Sequence, residues 1–349
     1  NGRIAEGMPT GVADEFLQSA GQFQRAPNIE AAQASLRSLS GQLHAASASM
    51  TFRAIDAGNR ALSDHLDGLR DGNAAVGMWT KQIGAGGGMA RSGFDGIGFQ
   101  HDGWLVGKDV RMGPSGVVGF AFGQGLGRQQ LEDAPDRNDS RRSESMLYAG
   151  VTRGKWYSQG RLGIGSYRED VSRQLLLGDA AEDVWTRYDG RYRMAYGESG
   201  FHIGRGNARL APFVSLEYAR SDRDAFTEHG AGGFGLRSDA QAVDRWQAGV
   251  GMRANRHWNL GNGRMLDFSA RAQWRRTLAS TGEAIDASFV GLQQWSALSG
   301  IGMSRQSYVF GIGMDARLSR RATLKFAYDY DNGQYDSAQG LWASLNMAF

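Results

Sequence analysis

The stretch YVFGIGMDARLSRRATLKFAYDY, residues 308–330, decides the fold class. On each side of a central turn, apolar residues such as Phe310 and Ile312 occupy every second position, with small or charged residues such as Gly311 between them. Because successive side chains of a β-strand point to opposite faces, this alternation predicts two strands, each with one apolar and one polar face. Residues 319–321 are the predicted turn of this hairpin.

Two-faced strands are also predicted upstream, at 210–218, 246–252 and 266–274. A soluble β-sandwich has such strands too, but short turns that alternate with long ones are typical of outer-membrane barrels. The short turns are predicted at 112–115, 154–155, 204–208, 259–263 and 319–321, and the long ones at 84–95, 132–143, 177–183, 224–234, 280–305 and 331–338. Aromatic residues near strand ends would form an interfacial girdle; they are Trp156, Tyr218, Trp246, Trp258, Tyr308 and Tyr330. We therefore predict a 12-stranded antiparallel transmembrane β-barrel over residues 73–349.

The composition agrees with a barrel wall and argues against several other classes. The chain has 349 residues with 51 glycines, five prolines and no cysteine, which excludes disulfides and thiolate metal sites. Its net charge is +3 with arginines interleaved among acids, so nucleic acid is not an expected partner. The mean hydropathy of -0.44 is compatible with a barrel because only alternate residues face lipid. The six histidines lack metal-ligand spacing and no HExxH or GxSxG pattern occurs, so we predict no enzyme activity and no cofactor.

Residues 28–72 differ from the rest of the chain and are predicted to form one long helix. Pro27 and Asn28 provide a start signal, and no proline follows before the loop at 71–73. The helix has a thin apolar stripe, many small residues and the charged residues Arg53, Asp56, Arg60, Asp64 and Asp67. A surface or coiled-coil helix would be the ordinary interpretation of this pattern. The strands that follow favour another one, because a barrel of about twelve strands has a lumen that side chains alone do not fill.

We expect this helix to thread the lumen and to pair its charges with inward-facing residues of the wall. Alternate residues of a strand share one face, and this strand parity selects as inward-facing wall residues Glu217, Arg245, Arg253, Arg271 and Asp315. Residues 1–27 are expected to be a connector to a preceding segment. The first residue is Asn1 and no signal peptide precedes it, so we expect the chain to be a fragment of a longer protein.

The end of the chain carries the most specific local pattern. Apolar residues lie at every second position back from a terminal aromatic residue, with a glycine before them. This pattern resembles the signal by which the barrel-assembly machinery recognises outer-membrane barrels, and its residues are Gly340, Leu341, Ala343, Leu345, Met347 and Phe349.

The block PFVSLEYARSDRDAFTEHGAGGFGLRSDAQAVDRWQAGVGMR, residues 212–253, resembles the C-terminal translocator domain of monomeric autotransporters, the type V secretion family. LSGQLHAA, residues 39–46, resembles the segment that leads into the pore helix of that family. The resemblance implies a 12-stranded barrel with a helix in its lumen, which moves an N-terminal passenger to the cell surface with help from the barrel-assembly machinery. It also implies a monomer in the outer membrane of a Gram-negative bacterium, in contact with lipid and lipopolysaccharide, with long loops outside and a periplasmic C-terminus.

Two other functions stay open at the level of the sequence. A diffusion porin would have its helix in the periplasm and an open lumen. An outer-membrane hydrolase would need a nucleophile and a base in a long loop, and 280–305 contains no histidine or cysteine. Some autotransporters cut themselves at an Asn-Asn pair, whereas Asn59 precedes Arg60 here, so the sequence does not establish whether this chain cuts itself. Whether the passenger is a protease, an esterase or an adhesin is not encoded in these residues.

Overall fold

Twelve antiparallel strands form a closed barrel in the described part of a computed structural model. The structure describes residues 16–17, 19–22, 24–72, 74–205, 207–230, 232–261, 264–292, 294–298, 300–317 and 322–347. The strands are β1 Met78–Met89, β2 Ile97–Met112, β3 Gly116–Leu131, β4 Arg137–Arg153, β5 Trp156–Leu177, β6 Ala180–Phe201, β7 Ala208–Arg223, β8 Gln241–Gly261, β9 Arg264–Thr281, β10 Gln306–Arg317, β11 Ala322–Gly333 and β12 Asp336–Met347. The predicted fold class is therefore confirmed.

Each strand pairs with its neighbours in the sequence, and β1 pairs with β12 to close the cylinder. The closing register joins residues 86–89 to residues 336–339. Ile203–Arg205 continues the line of β6 beside β7. Four short strands, Phe226–Thr227, Leu236–Ser238, Ile285–Phe289 and Ser296–Leu298, form a separate sheet from the two longest loops. We call this the loop sheet.

The outer face of the barrel is apolar, as the alternation predicted. Leu147, Leu162 and Ile164 are each more than 60% exposed, while the residues between them point inward. An exposed apolar belt of this extent is typical of a lipid-facing surface.

The predicted division into short and long turns is wrong at four places. The ranges 84–95, 132–143, 177–183 and 331–338 were predicted as long loops, but strands continue through half or more of the residues in each range. In the extended β5–β6 hairpin, outward charged residues pair across the strands, as Arg168 Nε does with Asp189 Oδ1 at 2.7 Å. Polar residues beyond the lipid belt are thus strand residues, and their polarity made them resemble loops.

The prediction of one long helix is also wrong in one respect, because residues 28–72 form two helices. α1 spans Ile29–Ser38 and α2 spans Gln42–Asp71. The start signal is confirmed, since Asn28 Oδ1 accepts a hydrogen bond from Ala31 N at 2.8 Å. Between the helices, Gly41 has a φ of 61°, which lies in the left-handed region. No helix of the described residues is both long and apolar enough to cross a lipid bilayer.

Replacing Gly41 with alanine is expected to destabilise the junction between the helices. A Cβ at Gly41 would lie 2.6 Å from Leu236 Cδ1 and 2.9 Å from Leu298 Cδ1, both in the loop sheet. Left-handed backbone costs about 1–2 kcal/mol for a residue with a Cβ, and the steric overlap adds to that cost. Gly72→Ala is the matched control, because Gly72 has a φ of 77° and open space around it. Urea unfolding should give the lower midpoint for Gly41→Ala; equal midpoints would contradict the packing against the loop sheet.

Candidate functional site in the barrel lumen

Helix α2 lies inside the barrel. It contacts β1 to β5 and β7, and its ion pairs also reach β8, β9, β11 and β12, so wall surrounds it on all sides. Phe52, Ile55 and Leu62 are at most 2% exposed. Small residues such as Ala57 and Gly58 let the backbone approach the wall, since a Cβ on Gly58 would lie 3.3 Å from Arg161 Nη1.

A network of charges joins the middle of α2 to the wall. Arg245 Nη2 donates to Asp56 Oδ1 at 2.5 Å and also to Glu217. Arg275 Nη1 lies 3.1 Å from Asp56 Oδ2. Asn59 donates to Glu217, so two successive turns of the helix contact one charge cluster. We call these five residues the central network. All five are buried, and buried charges of this kind require their partners.

A second group of ion pairs reaches the closing strands. Arg60 Nη1 lies 3.2 Å from Asp331 Oδ2, and that carboxylate also accepts from Arg275. Arg53 pairs with Asp336 at the start of β12. The helix therefore contacts the last hairpin of the barrel as well as its middle strands.

Ion pairs with the wall continue in the C-terminal half of α2. Asp64 Oδ2 lies 2.9 Å from Lys81 Nζ, and Asp64 Oδ1 lies 3.5 Å from Arg271 Nη1. Asp67 Oδ2 lies 2.6 Å from Arg253 Nε, and Arg253 also donates to Glu198. Along its length α2 thus pairs both basic and acidic side chains with the wall.

Wall side chains also donate to main-chain carbonyls of the helix. Arg142 Nη1 donates to Met50 O at 3.2 Å, and Arg161 Nη2 donates to Ile55 O at 3.0 Å. Such bonds hold the helix backbone independently of its own side chains.

Four of the five predicted wall residues contact the helix, and Asp315 does not. Glu217, Arg245, Arg253 and Arg271 make the contacts described above. Asp315 Oδ2 instead lies 3.0 Å from Lys325 Nζ on the next strand. It is two residues from the end of β10 at the rim with the short turns, and the pair is partly exposed there.

The end of α2 near the loop sheet is held by a buried cluster. His44 Nε2 lies 2.8 Å from Glu228 Oε1, and Arg173 Nη1 donates to the same oxygen at 2.8 Å. Burial raises the pKa of Glu228, but Arg173 and the hydrogen bond with His44 outweigh it and lower the pKa to about 2. The His44 ring stacks on Phe226 with 4.3 Å between the centroids. Glu228 is therefore ionised at neutral pH, and it links the loop sheet to the helix through its hydrogen bonds with Leu236 N and His44.

Sequence reasoning missed several partners of the helix. Arg275 lies on the predicted polar face of β9, two positions beyond Gln273, so parity could have selected it. Asp331 and Asp336 were assigned to a loop, although the alternation continues past Tyr330. Lys81 lies in β1, where glycines hide the alternation.

The predicted assembly signal lies in β12 as far as the structure describes it. Leu341 is 65% exposed on the outer face, whereas Gly340 is buried against β1. Leu345 and Met347 belong to β12, and Phe349 lies outside the described residues.

The arrangement is suited to occluding a pore. In the described residues, no group of three or more His, Cys, Asp or Glu side chains could hold a metal ion. Asp56, Asp64 and Asp109 are paired with arginine, lysine and histidine, respectively, which is a structural use of charge.

Comparisons with known proteins agree with this architecture. The family described as "Autotransporter beta-domain" matches residues 78–329. An extracellular serine protease of Serratia marcescens is 24% identical over 314 residues, which cover 85% of this chain and 29% of the relative. Esterase EstA of Pseudomonas aeruginosa is 24% identical over 292 residues, 78% of this chain and 43% of the relative. The chain thus spans less than half the length of these curated relatives.

A solved structure shares the fold. The translocator domain of the autotransporter NalP from Neisseria meningitidis superposes with a TM-score of 0.67 at 17% identity, covering 86% of this chain and 98% of that one. The family match spans most of the barrel, and the described strands close as in that domain. The chain belongs to the autotransporter family, as a β-domain of the type V secretion class.

Proposed function

We propose that this translocator anchors its own N-terminal passenger in the outer membrane and helps to export it, and that α2 then closes the pore. The observation that carries the proposal is the position of α2, which is buried in the lumen and bound to strands around the barrel. Its N-terminal end lies at the loop sheet, so a segment before α2 leaves the barrel at the rim with the longest loops.

The porin alternative requires the helix outside the lumen. The described α2 fills the lumen instead, and a polar helix held by buried ion pairs is a poor lining for diffusion. Any catalytic activity would lie in the passenger, as the names of the relatives, serine protease and esterase, suggest for those proteins.

We further propose that the loop sheet faces the cell exterior and that the C-terminus faces the periplasm. The apolar outer belt contacts lipid, and β12 is the strand that the barrel-assembly machinery would bind. The described ladder closes on itself, so its strands are paired on both sides and do not need a second copy, and we propose that the barrel functions as a monomer.

A surface-display assay tests this function. A signal peptide and an epitope-tagged reporter are placed before residue 1, and the fusion is expressed in a Gram-negative host. We expect antibody to label the reporter on intact cells and added protease to remove it, while a periplasmic marker is protected. A second epitope between residues 292 and 296 should also be labelled on intact cells. A correctly inserted barrel whose reporter stays protected would contradict the export role.

A further inference from the structure

The outer face of the barrel has an apolar groove that the export role does not use. The groove has a volume of about 890 Å³ and runs across β2 to β8. Its floor consists of small outward residues, Ala149, Gly160, Ala195 and Gly197. Large residues such as Leu147 and Leu162 form its sides, and both are more than 60% exposed. A concave apolar channel within the lipid belt matches the shape of acyl chains.

One end of the groove lies at a boundary between apolar and charged surface. Tyr218 and Trp246 line that end and pack together, with 4.9 Å between their ring centroids. Tyrosine and tryptophan concentrate where hydrocarbon meets headgroups. Two residues further along the strands, roughly 7 Å away, Arg193 and Arg220 face outward.

These two arginines belong to a larger band. Arg193 and Arg220 are directly opposite each other in the β6–β7 ladder, and Arg141 and Arg168 are directly opposite in the β4–β5 ladder. With Arg191 of β6 they form the arginine band, five outward cations between the apolar belt and the rim with the long loops.

The protein neutralises this band only in part. Arg168 pairs with Asp189, and Arg220 pairs with Asp222 and Asp244. Arg141, Arg191 and Arg193 form ion pairs with none of the described carboxylates. Like charges directly opposite in a ladder are destabilising, so an external anion would relieve the repulsion. Arginine binds phosphate through two parallel hydrogen bonds, which makes phosphate the matching group.

We propose that the groove and the arginine band together form a binding site for a phosphorylated glycolipid, the lipid A class, with its phosphates on the arginines and an acyl chain in the groove. This inference rests on the proposed function in one respect, because the arginine band lies in the outer leaflet when the long loops face the cell exterior. The other end of the groove has a single cation, Lys108. One lysine is a point charge, whereas the band offers several guanidinium groups to several phosphates.

Lipid binding to the refolded full chain in detergent micelles tests the site by native mass spectrometry. The ligands are lipid A with its phosphates, the same lipid dephosphorylated, and phosphatidylglycerol. We expect phosphorylated lipid A to bind the tightest, and Arg193→Gln with Arg220→Gln to weaken it by about tenfold or more. Arg256→Gln is the matched control, because Arg256 is an exposed outward arginine near the opposite rim. It should leave binding unchanged.

A groove variant separates the acyl contribution from the charge contribution. Ala195→Trp fills the floor and should weaken phosphorylated and dephosphorylated lipid A alike. Equal binding of the two lipids to the unmodified chain would overturn the proposal, as would phosphatidylglycerol binding as tightly as lipid A. A larger loss with Lys108→Gln than with the double arginine variant would place the headgroup at the other end and also overturn it. The display assay stays independent, since the double variant should still export its reporter.

Discussion

Replacing Arg245 with alanine is expected to lower the free energy of unfolding by about 3–5 kcal/mol. The change removes the main partner of two buried carboxylates, Asp56 and Glu217, which contact Arg245 from the helix and from β7. Removing one member of a buried charge network leaves the others desolvated without compensation. The helix and the wall lose their central contact in the same variant, so α2 should also become more accessible.

The measurement is equilibrium unfolding in urea, followed by tryptophan fluorescence in lipid vesicles. Lys325→Ala is the control, since Lys325 forms a partly exposed pair with Asp315 and should cost less than about 1 kcal/mol. The variant Arg245→Met with Asp56→Ala and Glu217→Gln should recover part of the loss, because it removes the unpaired charges. An Arg245→Ala protein as stable as the Lys325→Ala protein would mean that the central network does not hold the helix.

The architecture was predictable because alternation in the sequence reports directly which face a strand residue occupies. The same parity selected Arg245, Arg253 and Glu217 as inward residues, and each of them lies beside the helix. The alternation shows which face of a strand a residue occupies, but it does not show where the residue lies along the barrel axis. Asp315 has the right parity but lies near the rim, where Lys325 is its neighbour.

Other features depend on information that is not local. The break at Gly41 follows from contact with Leu236 and Leu298, which lie far from it in the sequence. Glycine alone did not predict the break, because a helix tolerates glycine at modest cost. The extended β5–β6 hairpin contains cross-strand pairs such as that of Arg168 with Asp189, whose partners are 21 residues apart in the sequence. Outward polar residues beyond the lipid belt have the same composition as a loop, so composition could not separate the two.

Removing the helix is expected to open the lumen. α2 supplies the side chains that meet the inward residues of the wall, including the central network and Asp67 with Arg253. A chain without residues 1–72 would leave these inward arginines and carboxylates facing water in a channel. The barrel ladder is complete without the helix, since the strand pairings run from β1 round to β12.

Single-channel conductance in a planar bilayer measures whether α2 occludes the lumen. The refolded intact chain is compared with the chain lacking residues 1–72, after circular dichroism has shown equal strand content. We expect small, mostly closed conductance for the intact chain and large, stable conductance for the truncated one. Arg245→Ala should lie between them, with frequent transient openings. Equal and large conductance for the intact and truncated chains would show that α2 does not occlude the pore, because it would place α2 outside the lumen.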